Sequence, residues 1–290
     1  MRWLIFLLVL PLNACTGLFF QPQSLILRTP AYKNLAYQDI YFDTADAIRL
    51  HGWWLPAQNE NLGTIVFLHG NAENISTHIS SVAWLPTNGY NVFLFDYRGY
   101  GLSQGQPDLA GLHQDVEAAL SWIKQYPQAS SKIILFGQSL GASLAVTSIA
   151  ESAHREIIQA LIIDSAFTGY RDIAREKLAN FWLTWPIQWP LSLLINNRYQ
   201  PLKQIARISP IPVLIIHGTA DQIIPVQHAK RLHAAAKAPK QLWLIPNGKH
   251  IQSMNYPHIR QRLLDYLRHT TTTGIVYKKG LVRGLFGSPS

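Results

Sequence analysis

The residue whose surroundings best suit nucleophilic chemistry is Ser139, in Gly137-Gln138-Ser139-Leu140-Gly141. The apolar run Lys132 to Phe136 precedes this motif, and the small-residue run Ala142 to Ala145 follows it. An apolar strand that enters a tight turn and leaves as a helix needs glycines, because Cβ atoms would clash where strand and helix converge. The turn forces the serine into a strained backbone conformation and presents its hydroxyl at the end of a strand. We therefore expect Ser139 to be a nucleophile.

The same Gly-x-Ser-x-Gly pattern occurs a second time, at Gly101 to Gly105 around Ser103. It follows the polar, glycine-rich stretch Asp96 to Tyr100, and no helical run opens directly after it. Ser103 is therefore the weaker alternative for the nucleophile.

A serine hydroxyl needs a base to take its proton and a carboxylate to orient that base. Asp221 follows the apolar run Val213 to Ile216, and His250 follows Leu242 to Ile245. Both side chains should therefore lie in loops at the C-terminal ends of strands, as Ser139 does.

Each of these two assignments has a rival. Asp164, directly after a strand that ends at Ile163, is the alternative acid. His217 is the alternative base, although at the start of its loop it is better suited to packing and to bonding the backbone.

The oxyanion that forms during acyl transfer needs two backbone donors. Leu140 N–H, directly after the nucleophile, is the first candidate. The second is Asn71 N–H, in the loop after Thr64 to Leu68, because Gly70 allows that loop to turn towards Ser139. We expect His69 to have a structural role, with its ring bracing this loop.

Short apolar runs alternate with helical segments along most of the chain, which predicts an α/β fold with a mainly parallel sheet and helices on both faces. Residues 38 to 55 form two strand-like runs around a turn and predict an antiparallel hairpin. Helical spacing is expected at about 74 to 87, at 109 to 126 and in a closing helix at about 257 to 269. Residues 167 to 208 interrupt the alternation with two Trp-Pro steps, and we interpret them as a small apolar cap.

Six stretches in this order resemble the α/β-hydrolase-domain serine hydrolases: His69 to Ala72, Asp96 to Gly101, Gly137 to Gly141, Asp164 to Phe167, Gly218 to Asp221 and Gly248 to His250. The order serine, aspartate, histidine also matches that family. The resemblance covers about residues 38 to 268 and is greatest for a short-cap branch with esterase-like, lysophospholipase-like and depalmitoylase-like members. It implies hydrolysis of carboxylic esters or thioesters with no cofactor. Related sequences usually have glycine where Glu73 stands, so the resemblance does not define the shape and charge of the acyl-pocket mouth here.

The composition argues against several other classes of protein. Formal net charge is +9, but the bases are scattered in runs of at most two, so they indicate a diffuse basic surface without a nucleic-acid motif. No Cys/His spacing of zinc-site type is present in the sequence, and the stretch Gly99 to Gly105 does not have the dinucleotide-binding spacing. We expect neither metal nor cofactor, and the sequence does not indicate an oligomeric state.

The single cysteine, Cys15, lies at the end of a segment shaped like a secretory signal. Arg2 precedes an apolar core from Trp3 to Leu12, which is about half the length that spans a bilayer as a helix. Leu12-Asn13-Ala14-Cys15 resembles the bacterial lipobox, in which the cysteine is acylated, and Thr16 after it favours the outer membrane. We therefore expect a signal peptide at 1 to 14, a tether at 15 to 37 and lipid anchoring in the cell envelope on the periplasmic face, with an uncleaved anchor or a secreted form as alternatives. Residues 269 to 290 are expected to be a flexible basic tail.

These predictions combine into a membrane-tethered serine esterase acting on small-molecule or lipid esters. Three roles are open for the tryptophans of the cap: they line an acyl channel, they touch the bilayer, or they pack on the domain itself. These residues are Trp182, Trp185 and Trp189. An aminopeptidase-like serine peptidase is a second possibility, although we find no acidic residue to hold a substrate amine beyond Glu73. The third is a catalytically inactive envelope adaptor lipoprotein.

Overall fold

A computed structural model describes residues 20–179, 189, 192 and 198–277. One eight-stranded sheet lies at the centre of the molecule. Its strands are β1 Gln38–Asp43, β2 Arg49–Leu55, β3 Gly63–Leu68, β4 Tyr90–Phe95, β5 Ile133–Gln138, β6 Ile158–Asp164, β7 Val213–Gly218 and β8 Lys240–Ile245.

The strands are arranged in the order β8-β7-β6-β5-β3-β4-β2-β1. From β8 to β4 all neighbours are parallel, whereas β2 pairs antiparallel with both β4 and β1. The predicted hairpin is therefore present, and the α/β-hydrolase fold class is confirmed. Because the six parallel strands all point the same way, the loops that follow them meet at one edge.

Helices cover both faces of the sheet. In the described part of the chain they include α1 Ile75–His78, α2 Leu109–Gln125, α3 Leu140–Glu151, α4 Tyr170–Ala179, α5 Pro201–Gln204, α6 Gln227–Ala235 and α7 Pro257–Tyr277. Alternate residues of β3 belong to different cores: Val66 and Leu68 pack with α2 and α3, while Ile65 and Phe67 pack on the face that α7 covers. All four are at most 1% exposed, which explains why this strand is apolar without alternation.

Two helices differ from the predictions. The single helix expected over residues 74 to 87 is broken into α1 and the short 3-10 turns Ile79–Ser81 and Pro86–Asn88. Side chains compete for carbonyls that a continuous helix would use, since the Trp84 indole N–H donates to Ser81 O at 2.9 Å. The closing helix continues past His269 to Tyr277, because extending an existing helix costs little.

Residues 20 to 37, predicted as part of a tether, are packed against the domain. Phe20 is 6% exposed, and the two-residue strand Gln21–Pro22 pairs in parallel with Ala72–Glu73. The chain then makes the 3-10 turn Pro30–Lys33 before it enters β1.

The described part of the predicted cap begins with α4, which is fastened to α6. Glu176 lies 2.9 Å from His228 Nε2, and Asp172 lies 3.6 Å from Arg231. Trp189 is 62% exposed, with the Arg175 guanidinium 4.3 Å from its ring centroid. The predictions for Trp182 and Trp185 concern residues outside the described part of the chain.

Candidate active site

Ser139 occupies the turn between β5 and α3 in a conformation that few residues adopt. Its φ is 54° and its ψ is −114°, so the backbone is strained as the motif predicts. A Cβ on Gly137 would lie 2.4 Å from Gly141 O, and a Cβ on Gly141 would lie 2.2 Å from Leu68 O. Both glycines are therefore required by close backbone approach, one within the turn and the other between α3 and the end of β3.

Three distant side chains of the sequence meet at this turn. His250 Nε2 lies 3.0 Å from Ser139 Oγ, and His250 Nδ1 lies 2.7 Å from Asp221 Oδ2. The Asp221 side chain is fully buried, whereas that of His250 is 14% exposed. The carboxylate is thus shielded from water, while the imidazole is partly exposed.

Asp221 is held as a carboxylate. Burial by itself raises the pKa of its side chain, but the hydrogen bond to His250 opposes this effect, and the pKa lies below its usual value. Asp221 Oδ1 also accepts hydrogen bonds from the N–H groups of Ile223, at 2.8 Å, and Ile224, at 2.9 Å. An ionised Asp221 is an acceptor only, so it favours the imidazole tautomer that carries its proton on Nδ1 and leaves Nε2 free to face Ser139.

The rival residues have other partners. Ser103 Oγ donates to Asp96 O at 2.6 Å and accepts from the N–H of His51 at 2.9 Å, so it joins a loop to β2. His217 Nε2 lies 2.8 Å from Ile224 O, the backbone bond that its position in the loop suggested. Burial lowers the pKa of His217.

Asp164 supports the site through hydrogen bonds to two neighbouring segments. Its carboxylate accepts from Ser253 Oγ at 2.9 Å and from the Gln138 amide at 3.1 Å. These bonds join the end of β5 to the segment that follows His250. Burial raises the pKa of Asp164 to about 6. No hydrogen bond joins Asp164 to a histidine among the described residues, in contrast to Asp221.

The loop after β3 runs past Ser139, as the oxyanion prediction requires. A Cβ on Gly70 would lie 3.7 Å from Ser139 Cβ, and Asn71 is the next residue. Leu140 is the first residue of α3, where backbone N–H groups have no acceptor within the helix. His69 is buried, its Nδ1 lies 2.7 Å from Gly70 O, and its ring stacks on Tyr97 at 4.3 Å. These contacts fit the bracing role expected for His69.

Sequence reasoning missed two tyrosines that hold the carbonyls of this loop. Tyr97 Oη donates to His69 O at 3.0 Å, and Tyr100 Oη lies 2.9 Å from Asn71 O and 3.0 Å from Asn71 Oδ1. Both belong to Asp96 to Gly101, one of the six stretches on which the family resemblance rests. The resemblance assigned no role to either tyrosine. The signal was thus present in the sequence, but only the fold shows what the hydroxyl groups contact.

Arg98 fixes that stretch to the rest of the domain. Its guanidinium bonds Asp115 of α2 at 2.8 Å and Asp46 of the β1–β2 turn at 2.8 Å. The hydrogen bond from Arg98 lowers the pKa of Asp46 to about 2. This ion-pair network connects the predicted oxyanion loop, through the tyrosine stretch, to α2 and to the β1–β2 turn.

Other predicted features lie outside the site or outside the described residues. Cys15, predicted to be lipidated, precedes the first described residue. Within residues 20–179 and 198–277, no helix has both the length and the apolar character needed to cross a membrane. The same residues contain no cluster of three or more His, Asp or Glu side chains that could hold a metal ion.

Comparison with known proteins agrees with this architecture. The family model described as serine aminopeptidase, S33 (Hydrolase_4) matches residues 59–201. An uncharacterized protein of Escherichia coli K12, YfhR, is 37% identical over 238 residues, which are 79% of this chain and 80% of YfhR. The α/β hydrolase domain-containing protein WAV2 of Arabidopsis thaliana is 33% identical over 78% of this chain and 76% of its own length.

The chain therefore belongs to the α/β-hydrolase domain family, and family and fold together support a serine hydrolase in general. Among solved structures, the esterase Pf2001 of Pyrococcus furiosus is similar, with a TM-score of 0.70 and 24% identity over 87% of this chain and 99% of that one. Est1E of Butyrivibrio proteoclasticus, solved with ferulic acid, has a TM-score of 0.61 and 18% identity over 82% of this chain and 99% of its own. At these identities the likeness shows the fold alone.

Proposed function

We propose that the protein is a serine hydrolase that cleaves the carboxylic ester or thioester bonds of acyl or lipid-like substrates without a cofactor. The observation that carries this proposal is the bridging position of His250, 3.0 Å from Ser139 Oγ and 2.7 Å from Asp221 Oδ2. Hydroxyl, imidazole and carboxylate in this order are the groups that acyl transfer requires.

The proposed reaction begins when Ser139 Oγ attacks the ester carbonyl carbon. His250 Nε2 takes the hydroxyl proton and then gives it to the leaving alkoxide, while Asp221 stabilises the imidazolium that forms. The backbone N–H groups of Leu140 and Asn71 are proposed to donate to the oxyanion. A water molecule, deprotonated by His250, then hydrolyses the acyl-enzyme and restores Ser139.

Fluorophosphonate labelling and hydrolysis of short p-nitrophenyl esters test this proposal. We expect Ser139→Ala to abolish labelling and to lower kcat by about 10⁴-fold or more, because the nucleophile is gone. Ser103→Ala is the matched control, since it removes the other serine of the same motif, which bonds only backbone groups. Labelling that persists in Ser139→Ala and disappears in Ser103→Ala would refute the assignment.

A peptidase is the second candidate, favoured by the description of the matching family model as a serine aminopeptidase. Glu73 is the acidic residue next to the predicted oxyanion loop, in the short strand Ala72–Glu73, with φ of 67°. If Glu73 held a substrate amine, Glu73→Gln would lower the turnover of aminoacyl anilides and spare that of neutral esters. Wild-type turnover of both substrate types decides between the two candidates.

We also propose that the chain is anchored in the bacterial cell envelope through acylated Cys15, on the periplasmic face of the outer membrane. The lipobox-like stretch supports this proposal. Incorporation of labelled palmitate in wild type, and its loss in Cys15→Ser, tests it. An inactive envelope adaptor is the third candidate, and it requires that purified protein neither hydrolyses esters nor reacts with fluorophosphonates.

A further inference from the structure

The segment Phe20–Leu27, which we call the N-terminal arm, is fastened beside the candidate active site. Gln21 and Pro22 pair with Ala72 and Glu73, the residues directly after Asn71. The N–H of Gly101 donates to Gln23 O at 2.9 Å, so the arm also contacts the loop that follows Tyr100. The arm thus forms part of the edge of the domain at which Ser139 lies.

Apolar side chains on this edge point into solvent. Leu25 is 67% and Leu27 is 56% exposed, whereas Ile26 between them packs on the core. The Asn74 amide donates to Leu25 O at 2.8 Å, and Ser76 Oγ accepts from Leu27 N–H at 3.1 Å, which holds both leucines in place. Leu102, next to Gly101, is 51% exposed. We call Leu25, Leu27 and Leu102 the rim patch.

The surroundings of the rim patch are basic and aromatic. Arg28 and Lys33 are exposed, and the Arg28 guanidinium lies 4.7 Å from the ring centroid of Tyr32, which is 66% exposed. No acidic residue precedes Asp39 in the sequence, and Glu73 is the carboxylate on the strand paired with the arm. Exposed leucines beside tyrosine and basic residues suit the boundary between the headgroups and acyl chains of an anionic bilayer.

The sequence that leads into the arm also points to lipid. It contains the apolar run Trp3 to Leu12, and the chain enters the described structure at Phe20, the first residue of the arm and five residues before Leu25. An apolar segment joined at this point would keep the rim patch close to any membrane that it entered.

We propose that the rim patch contacts the surface of an anionic phospholipid bilayer, with the N-terminal arm as its fixed support, so that the edge of the sheet that carries Ser139 faces the lipid. Substrate esters could then reach Ser139 from the membrane without crossing the aqueous phase. The contact itself does not depend on the proposed chemistry.

Site-specific fluorescence tests this orientation. In full-length Cys15→Ser protein, which has no other cysteine, Leu27→Cys and Leu102→Cys each supply one attachment point for an environment-sensitive dye. Gln128→Cys is the matched control, because Gln128 is exposed in the turn before β5, at the opposite edge of the sheet. The probe is a vesicle of phosphatidylethanolamine and phosphatidylglycerol, with and without a quencher attached to the acyl chains.

We expect vesicles to shift the emission of the dyes at 27 and 102 to shorter wavelength, and the lipid quencher to remove most of that emission, with no change at 128. Equal responses at all three positions, or none at 27 and 102, would overturn the proposal. Dye emission that is already shifted to shorter wavelength without vesicles would also overturn the proposal. If that shift depends on protein concentration, a second copy of the chain covers the patch; if it does not, residues 1 to 19 cover it. Because no readout requires turnover, failure here is distinct from failure of the Ser139→Ala experiment.

Discussion

Replacing Gly141 by alanine should separate the two backbone segments that are predicted to form the oxyanion site. The new Cβ would lie 2.2 Å from Leu68 O and 2.5 Å from His69 O, whereas ordinary contacts begin near 3.4 Å. Both obstacles are backbone atoms at the end of β3, so no side-chain rotation relieves the clash. The start of α3 must therefore move away from the loop that contains Asn71 by about 1 Å.

The movement has separate consequences for stability and for turnover. Overpacking of this kind costs about 1–3 kcal/mol of the free energy of unfolding. A displacement of about 1 Å between catalytic groups costs about 10²-fold in rate, similar to the loss of one oxyanion donor. We expect kcat for a p-nitrophenyl ester to fall about 10²-fold, with a much smaller change in KM, because the interaction lost is made mainly in the transition state.

Gly63→Ala provides the matched control at the other end of β3. Its Cβ would lie 3.2 Å from Ile134 Cδ1 and from Lys132 O, a mild crowding far from Ser139. This variant should lose a little stability and keep its kcat. Steady-state kinetics of both variants measure the change in kcat, and urea unfolding measures the change in the free energy of unfolding. A kcat for Gly141→Ala within about threefold of wild type, in protein that is still folded, would refute the placement of the oxyanion site between Leu140 and Asn71.

Three further variants test the site and its supports. Asp221→Asn should lower kcat by about 10⁴-fold with little loss of stability, because an amide N–H facing His250 Nδ1 selects the wrong tautomer. Near-normal turnover would remove Asp221 from the proposed triad. Tyr100→Phe removes the hydroxyl that holds Asn71 O, so kcat should fall about tenfold at unchanged KM. A variant that loses thermal stability but keeps its kcat would indicate a purely structural role. Burial raises the pKa of Asp96 to about 8, so the folded state keeps a proton that the unfolded state loses, and the free energy of unfolding should fall as pH rises from about 4 to about 8. Asp96→Asn should flatten that part of the profile in urea unfolding, and an unchanged slope would contradict the assignment.

Much of this site follows from local patterns in the sequence. The nucleophile motif needs only a strand, two glycines and a helix, and all three are visible in adjacent residues around Ser139. Asp221 and His250 were predictable because each lies in the loop that follows an apolar strand, and parallel strands bring their C-terminal ends to one edge. The sequence also predicted the bracing role of His69 and the backbone bond of His217, since both lie at the junction of a strand and its loop.

Other features depend on contacts between segments that are far apart in the chain. The break in the helix expected at 74 to 87 is accompanied by a hydrogen bond from the Trp84 side chain to a backbone carbonyl, which periodicity does not register. The docking of the predicted tether depends on pairing between Gln21–Pro22 and Ala72–Glu73, which a two-residue strand does not signal.

The sequence by itself determined which groups are available for the proposed acyl transfer and the order in which the chain supplies them. The tertiary structure decided which of two serines, two aspartates and two histidines come together, and which hydroxyl groups hold the predicted oxyanion loop. The physical reason is that identity and spacing encode local conformation, whereas a hydrogen bond of about 3 Å depends on where strands far apart in sequence are stacked.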